Sequence, residues 1–162
     1  MRATPAHLDA LCELAPRIFA NATRAFGEIE PDAMRAAFAS WLEGDDSRVA
    51  VATSADGSIV GVCAAGAGRV AFRRESVVVH IRTIWVTPEA RGAGIAKQLL
   101  SETESWACEI GAVAMLAGVP IDYSAHHDLG DRKAVNFVAA NFYRRNGFSD
   151  AEIVLTKALQ CL

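Results

Sequence analysis

Trp85-Val86-Thr87-Pro88-Glu89-Ala90-Arg91-Gly92-Ala93-Gly94-Ile95-Ala96-Lys97-Gln98-Leu99-Leu100 reads as a strand end, a glycine-bearing turn and a helix opening. Residues 77–86 are rich in β-branched and apolar side chains, as a buried strand requires. Pro88 has no N–H to give to a ladder, so the strand is expected to stop before it. From Ile95 onward, Leu99, Thr103, Trp106, Ala107 and Ile110 return at helical spacing. Residues 91–96 therefore mark a helix N-terminus. The first N–H groups there lack internal acceptors, and the helix dipole adds partial positive charge. Gly92 and Gly94 have no Cβ to hold off a phosphate, and Arg91 and Lys97 add formal charge. Two glycines alone are a weak signal, since glycines more often serve an ordinary tight turn than an anion site. The spacing matches neither the phosphate loop that ends in Lys-Ser/Thr nor the three-glycine dinucleotide turn.

Beyond this turn, the helix should run to about Ile110 and end at Gly111. The run 112–117 is fully apolar, as expected of a buried parallel strand. Strand (residues 75–86), helix and strand thus form a βαβ unit, and parallel strands that part at their carboxyl ends leave a ligand crevice. Towards the N-terminus, Thr4-Pro5 starts a helix whose stripe is Leu8, Leu11, Cys12, Ala15, Ile18 and Phe19. A second helix opens at Glu30-Pro31-Asp32, carries Met34, Phe38, Trp41 and Leu42, and closes at Gly44. Phe26 and Trp41 read as core. Residues 49–53 and 59–68 are strands around the turn 55–58, with Gly66 and Gly68 loosening or bulging the second. Arg69, Arg73, Arg74 and Glu75 read as a charged loop. Residues 120–130 are polar and turn-rich. Asp131 can cap a helix over 132–145 with Val135, Val138, Ala139 and Phe142 as its core stripe, and Asn136, Ala140 and Tyr143 on an adjacent face. Asn146-Gly147 ends it, and Phe148 with residues 153–156 supplies the last strands.

Composition bounds the function. The 162 residues, 52% apolar and 22% charged, suit one globular domain. No apolar run is long enough to span a bilayer, and the first residues lack a leader's apolar core, so no membrane association and a cytoplasmic location are expected. Net charge is −3, with no basic stripe, which argues against nucleic acid as partner. Cys12, Cys63, Cys108 and Cys161 show no metal spacing and read as small buried apolar residues; no metal is expected.

Val86-x-Pro88-Glu89-x-Arg91-Gly92-x-Gly94-Ile95-Ala96 resembles the acyl-CoA-binding motif of the GCN5-related N-acetyltransferases (GNAT), Arg/Gln-x-x-Gly-x-Gly/Ala. Asn136-x-x-Ala139-x-x-Phe142-Tyr143-x-x-x-Gly147-Phe148 resembles that family's later helix and its Tyr…Gly-Phe ending. The blocks follow the family's order, and the resemblance covers nearly the whole chain, residues 1–162 as a single domain. It implies an α/β (α+β) fold: a central mixed, mostly antiparallel twisted sheet of six to seven strands with a splayed parallel pair, flanked by about four helices. It also implies acetyl-CoA as acyl donor. The diphosphate would rest on the backbone of residues 92–97 (Gly92, Ala93, Gly94, Ile95, Ala96, Lys97), with Arg91 at the turn. Ile84, Trp85 and Val86 would pair with the pantetheine arm, and Asn136 would hydrogen-bond it.

Acyl transfer to an amine further needs a polarised carbonyl, a base for the ammonium and an acid for the thiolate. Tyr143 matches the family's usual acid; alone, it would read as a packed aromatic. His80 is the base candidate. By alternation it shares a face with Val78, Arg82, Ile84 and Val86, and several relatives carry a Glu or His at about this place. A strand histidine bonded to a neighbour is the other reading. The loop 120–130 is longer than usual in the family and Ala117-Gly118 stands where an acid often sits, so no acid–base residue is borrowed from that spot. Asp122 and His126 of this loop are candidate acceptor-binding residues. The expected reaction is direct attack in a ternary complex, since no cysteine is placed for an acyl-enzyme. The expected acceptor is a primary amine of a small molecule or peptide end, and the protein a monomer or homodimer. The contrasting reading is a non-catalytic acyl-CoA-binding sensor or interaction module.

Overall fold

A computed structural model of the chain describes residues 1–20, 27–70, 73–118 and 137–149. Pro5 sets a one-turn 3-10 helix, Pro5–His7, which runs into α1 (Leu8–Ile18). Pro31 at the first helical position opens α2 (Pro31–Glu43). Strands β1 (Ser47–Thr53), β2 (Ile59–Val70) and β3 (Arg73–Val86) follow as an antiparallel meander. A second 3-10 turn, Pro88–Ala90, leads to α3 (Ile95–Glu109), then β4 (Ala112–Ala117) and α4 (Phe137–Arg145). The described residues give a four-stranded sheet in the order β1-β2-β3-β4, with β4 parallel to β3. The expected strands over 153–156, the helix cap Asp131 and Phe26 lie outside the described residues.

Two cores flank the sheet. Leu11, Ala15, Ile18, Phe38 and Leu42 of α1 and α2 close over Val49, Val51, Val62 and Ala64. On the opposite face, Leu99 and Leu100 of α3 meet Ala50, Cys63, Ile81 and Val86, while Trp106 and Ala107 cover Ala65 and Val79. Residues 1–3 run along β1, with Ala3 N–H donating to the Val49 carbonyl at 2.7 Å and Val51 N–H to the Met1 carbonyl at 2.9 Å. Sequence alternation over so short a segment carries no strand signal.

Several expectations change in detail. Gly44 closes α2, but its φ of −70° is ordinary; a Cβ there would lie 2.9 Å from both Asp46 Oδ1 and the Ser40 carbonyl, so space is what it supplies. Arg69, Arg73, Arg74 and Glu75 belong to strands β2 and β3 and not to a loop, with Arg69 and Arg73 each paired across the ladder. Val113, in the run read as buried, is 65% exposed. Val77 and Val78 pair with Ala112 and Ala114, so Val113 is an extra residue turned out of the ladder. Cys63 is buried but Cys12 only half so, and Cys108 is exposed on the outer flank of α3; Cys161 lies outside the described residues. Among the described side chains of α4, Ala140 and Tyr143 are buried, while Ala139 and Phe142 of the expected stripe are half-buried. Over residues 139–145 the deeper face is thus the one that carries Ala140 and Tyr143.

Candidate functional site

Pro88 ends β3 and the chain turns through Gly92 and Gly94, whose φ angles of +82° and +79° are left-handed. Residues 91–94 are exposed, and a Cβ added at either glycine would meet nothing within 4 Å. The turn is therefore open rather than packed beneath side chains. Gln98 N–H is bonded to the Gly94 carbonyl at 3.1 Å, so the amides of Ile95, Ala96 and Lys97 precede the first intrahelical bond. A groove of about 580 Å³ starts at Gly94 and Lys97 and follows the flank of α3 past Gln98 and Ser101. Arg91 is tied back, with Nε donating to the Val86 carbonyl at 3.2 Å. Glu89 is held below the ordinary carboxylate range by its own backbone N–H, helped by the Thr87 hydroxyl and by Arg17 and Arg91.

Among the described residues, the edge of β3 beside this turn has no partner strand. β4 pairs only with residues 77–81 of β3, as far as Ile81 opposite Ala117. Residues 83–86 pair with β2 on one side, and residues 82–86 have no β4 partner among the described residues. Thr87 N–H bonds the Val60 carbonyl of β2 at 2.9 Å. Backbone direction alternates along a strand, so Trp85 also turns its polar groups to β2, whereas Ile84 and Val86 turn theirs to the open edge. The three residues grouped by sequence are thus divided by the ladder, and Arg91 already holds the Val86 carbonyl.

Tyr143 is 6% exposed and joins the cluster of Cys63, Ile81, Val86, Leu99 and Leu100. Its ring lies 5.4 Å from that of Phe142 and 5.2 Å from that of Phe148. The turn after α4 returns on it: Phe148 N–H donates to the Tyr143 carbonyl at 3.1 Å, and Gly147 has φ +88°. Burial, with the Cys63 sulfur nearby, pushes the phenol above its ordinary pKa. Burial likewise pushes the Cys63 thiol up to about 11, against the Thr103 hydroxyl 3.3 Å away, so no thiolate forms there near neutrality.

His80 does not share a face with Ile84 and Val86. Ala64 pairs with Thr83 and Ala65 with Ile81, so Arg82 is an extra residue that reverses the alternation. Ile81, Ile84 and Val86 consequently pack towards α3 and Tyr143. His80 and Arg82 stand on the face of α1 and α2, where Trp85 joins that cluster. His80 is exposed, its ring over Gly68, where a Cβ would lie 3.8 Å from Cδ2. The Arg82 guanidinium lies over Gly66 and would clash with any Cβ there, which is a packing reason for that glycine rather than flexibility. Arg82 Nη1 donates to Ser47 Oγ at 3.1 Å and the Ala65 carbonyl at 3.2 Å, and the guanidinium stacks on Trp41 with 4.8 Å to the centroid. Arg17 of α1 stacks on Trp85 at 5.4 Å. Neither stack carries a sequence signal, since each joins residues far apart in the chain. Trp41, read as core, is half-buried beneath an arginine. Asn136, Asp122 and His126 lie outside the described residues, which contain no cluster of three or more His, Cys, Asp or Glu able to hold a metal.

A family model of the acetyltransferase (GNAT) domain matches residues 45–150, and the chain belongs to this family. Its fold is similar to that of AAC(6')-Iy in complex with the bisubstrate analogue CoA-S-monomethyl-acetylneamine, with TM-score 0.74 and 22% identity over 99% of this chain and 97% of that one. It is similar also to the aminoglycoside 6'-N-acetyltransferase AAC(6')-IG of Acinetobacter haemolyticus, with TM-score 0.73 and 18% identity over 99% and 97%. A transcriptional regulator from Bacillus halodurans gives TM-score 0.73 and 20% identity over 98% and 97%. At such identities the likeness is one of fold. A search of curated proteins gives no match.

Proposed function

We propose that the protein is an N-acetyltransferase that moves the acetyl group of acetyl-CoA to a primary amine of a small molecule or peptide end. The observation that carries this reading is an open glycine turn at a helix N-terminus placed beside a strand edge that no described residue pairs. The solved neighbours include an aminoglycoside N-acetyltransferase in complex with CoA, which supports the choice of donor.

Residues 92–97 hold the diphosphate through backbone amides, with the charge of Lys97 and Arg91 beside them. Ile84 and Val86 offer backbone groups to the pantetheine amides in the manner of an added strand, and Asn136 completes that contact. The thioester supplies an acyl group already activated for attack. A backbone N–H on the open edge polarises its carbonyl. The amine nitrogen bonds to the carbonyl carbon as the carbon–sulfur bond breaks. The ammonium proton leaves to His80 on the acceptor face, through water, and Tyr143 protonates the departing sulfur. Asp122 and His126 border the acceptor. Burial of Cys63 supports direct attack in a ternary complex over an acyl-cysteine. We further propose a single domain over the whole chain, a sheet completed to six or seven strands by its C-terminal residues, no metal, and a cytoplasmic monomer or homodimer. No helix among the described residues is long and apolar enough to cross a membrane.

Calorimetric titration with acetyl-CoA, followed by a thiol-release assay over a broad amine panel, tests the reading. Saturable binding with amine-dependent thiol release is expected. Binding with no transfer to any amine would leave a coenzyme-binding module, and absence of binding would remove the proposal.

A further inference from the structure

With the thioester on the open edge of β3, α3 and Tyr143 occupy one side of the sheet, so the amine arrives across the other. That face is cationic and aromatic. Arg17 and Arg82 are exposed, each stacked on a half-buried indole, Trp85 and Trp41 respectively. A stacked guanidinium keeps its in-plane N–H donors for a planar anion. Arg82 spends Nη1 on Ser47 and Ala65, and among the described residues neither arginine makes an ion pair with a carboxylate. Two acids are felt at longer range: Asp46, which accepts the Ser47 hydroxyl at 3.2 Å, and Glu89, which Arg17 influences. His80 continues the face beyond Arg82, over the glycine floor of β2.

Resting on the function proposed above, we infer that the acceptor is an amine that also carries a carboxylate on an apolar or aromatic body. The carboxylate meets the in-plane N–H groups of Arg17, with Arg82 adding positive charge on the same face, and the body lies beside the two arginine–indole stacks. A polycationic amine would instead bring like charge against both arginines. The acceptor class therefore differs from that named for the aminoglycoside acetyltransferases that share the fold.

The test compares phenylalanine, phenylalaninamide and kanamycin as acceptors at saturating acetyl-CoA, each rate corrected for its fraction of free amine. The kcat/KM for the acid is expected to exceed that for the amide by about tenfold, the scale of one charge-assisted contact, and kanamycin to rank last. Arg17→Gln should bring the acid-to-amide ratio towards one while the Kd of acetyl-CoA stays the same. Arg17 sits near an exposed helix end, so this variant is informative even where Arg82→Gln fails to fold. Preference for the amide or for kanamycin, rejection of both phenylalanine compounds, or a ratio unmoved by Arg17→Gln overturns the inference while the coenzyme reading stands. Failure of the unmodified protein to bind acetyl-CoA overturns the function first, and this inference with it.

Discussion

Tyr143 lies against Phe142, Phe148 and the Cys63 sulfur, and burial raises its pKa. A phenol raised above its ordinary value of about 10 stays protonated through the neutral range, so it can serve as an acid and not as a base. Replacing Tyr143 with Phe keeps the ring packing and removes that proton. We expect kcat to fall about 10²–10³-fold with the Kd of acetyl-CoA within about twofold, read by steady-state kinetics and calorimetry. An unchanged kcat would remove Tyr143 from the chemistry. The residue itself was legible from the Tyr…Gly-Phe ending, but its burial was not. Spacing over 132–145 suits two adjacent stripes, and only packing against Val86 and Leu99 selects the one with Ala140 and Tyr143. Gly66 shows the same limit. It read as a loosened strand, whereas the Arg82 guanidinium on top of it is the reason for its missing side chain. Gly66→Ala should displace that guanidinium from Trp41, Ser47 and Ala65 and cost about 1–3 kcal/mol in urea unfolding.

The glycine turn and α3 were readable as an element because three independent signals agreed: Pro88 stopping the strand, glycines at the junction, and apolar residues at helical spacing behind them. Gly94 has φ +79° and open space around it, so a side chain there meets strain before it meets atoms. Gly94→Asp is expected to weaken acetyl-CoA binding at least about tenfold, since it sets a carboxylate at the helix N-terminus where the diphosphate would lie. Gly94→Asn, neutral and tolerant of left-handed backbone, controls for strain and should retain most of the affinity by calorimetry. Equal affinities for Gly94→Asp and wild type would strip the turn of its role. Face alternation along β3 was less legible. It holds on either side of Arg82 but not through it, and no composition signal marks the extra residue, so His80 was placed with Ile84 when the ladder puts them on opposite faces.

Across the whole molecule, two buried groups tie stability to alkaline pH. Cys63 is raised to about 11, and Tyr143 is raised as well. Both bind their protons more tightly folded than unfolded. The contribution is therefore fully present below the unfolded values, 9.0 for Cys63 and 10.0 for Tyr143, and is lost as pH rises through the folded ones. Urea midpoints should hold steady up to about pH 9 and then decline, and Cys63→Ala should flatten the part of the decline between pH 9 and 11. A midpoint that rises with pH over that window would contradict this. Phe38, fully buried between Phe19 and Trp41, fastens α2 to α1 and the sheet; Phe38→Ala should lower stability by about 3–5 kcal/mol. The added residue at Arg82 works on the chain as an offset in counting. Upstream of it, odd-numbered β3 side chains such as Val79 and Ile81 enter the α3 core, and downstream even-numbered ones such as Ile84 and Val86 do. Deleting Arg82 outright would even out the ladder and leave Val79, Ile81, Ile84 and Val86 on the α3 side, so urea unfolding of the deletion variant should stay cooperative, with a midpoint lowered by the lost guanidinium contacts to Trp41, Ser47 and Ala65.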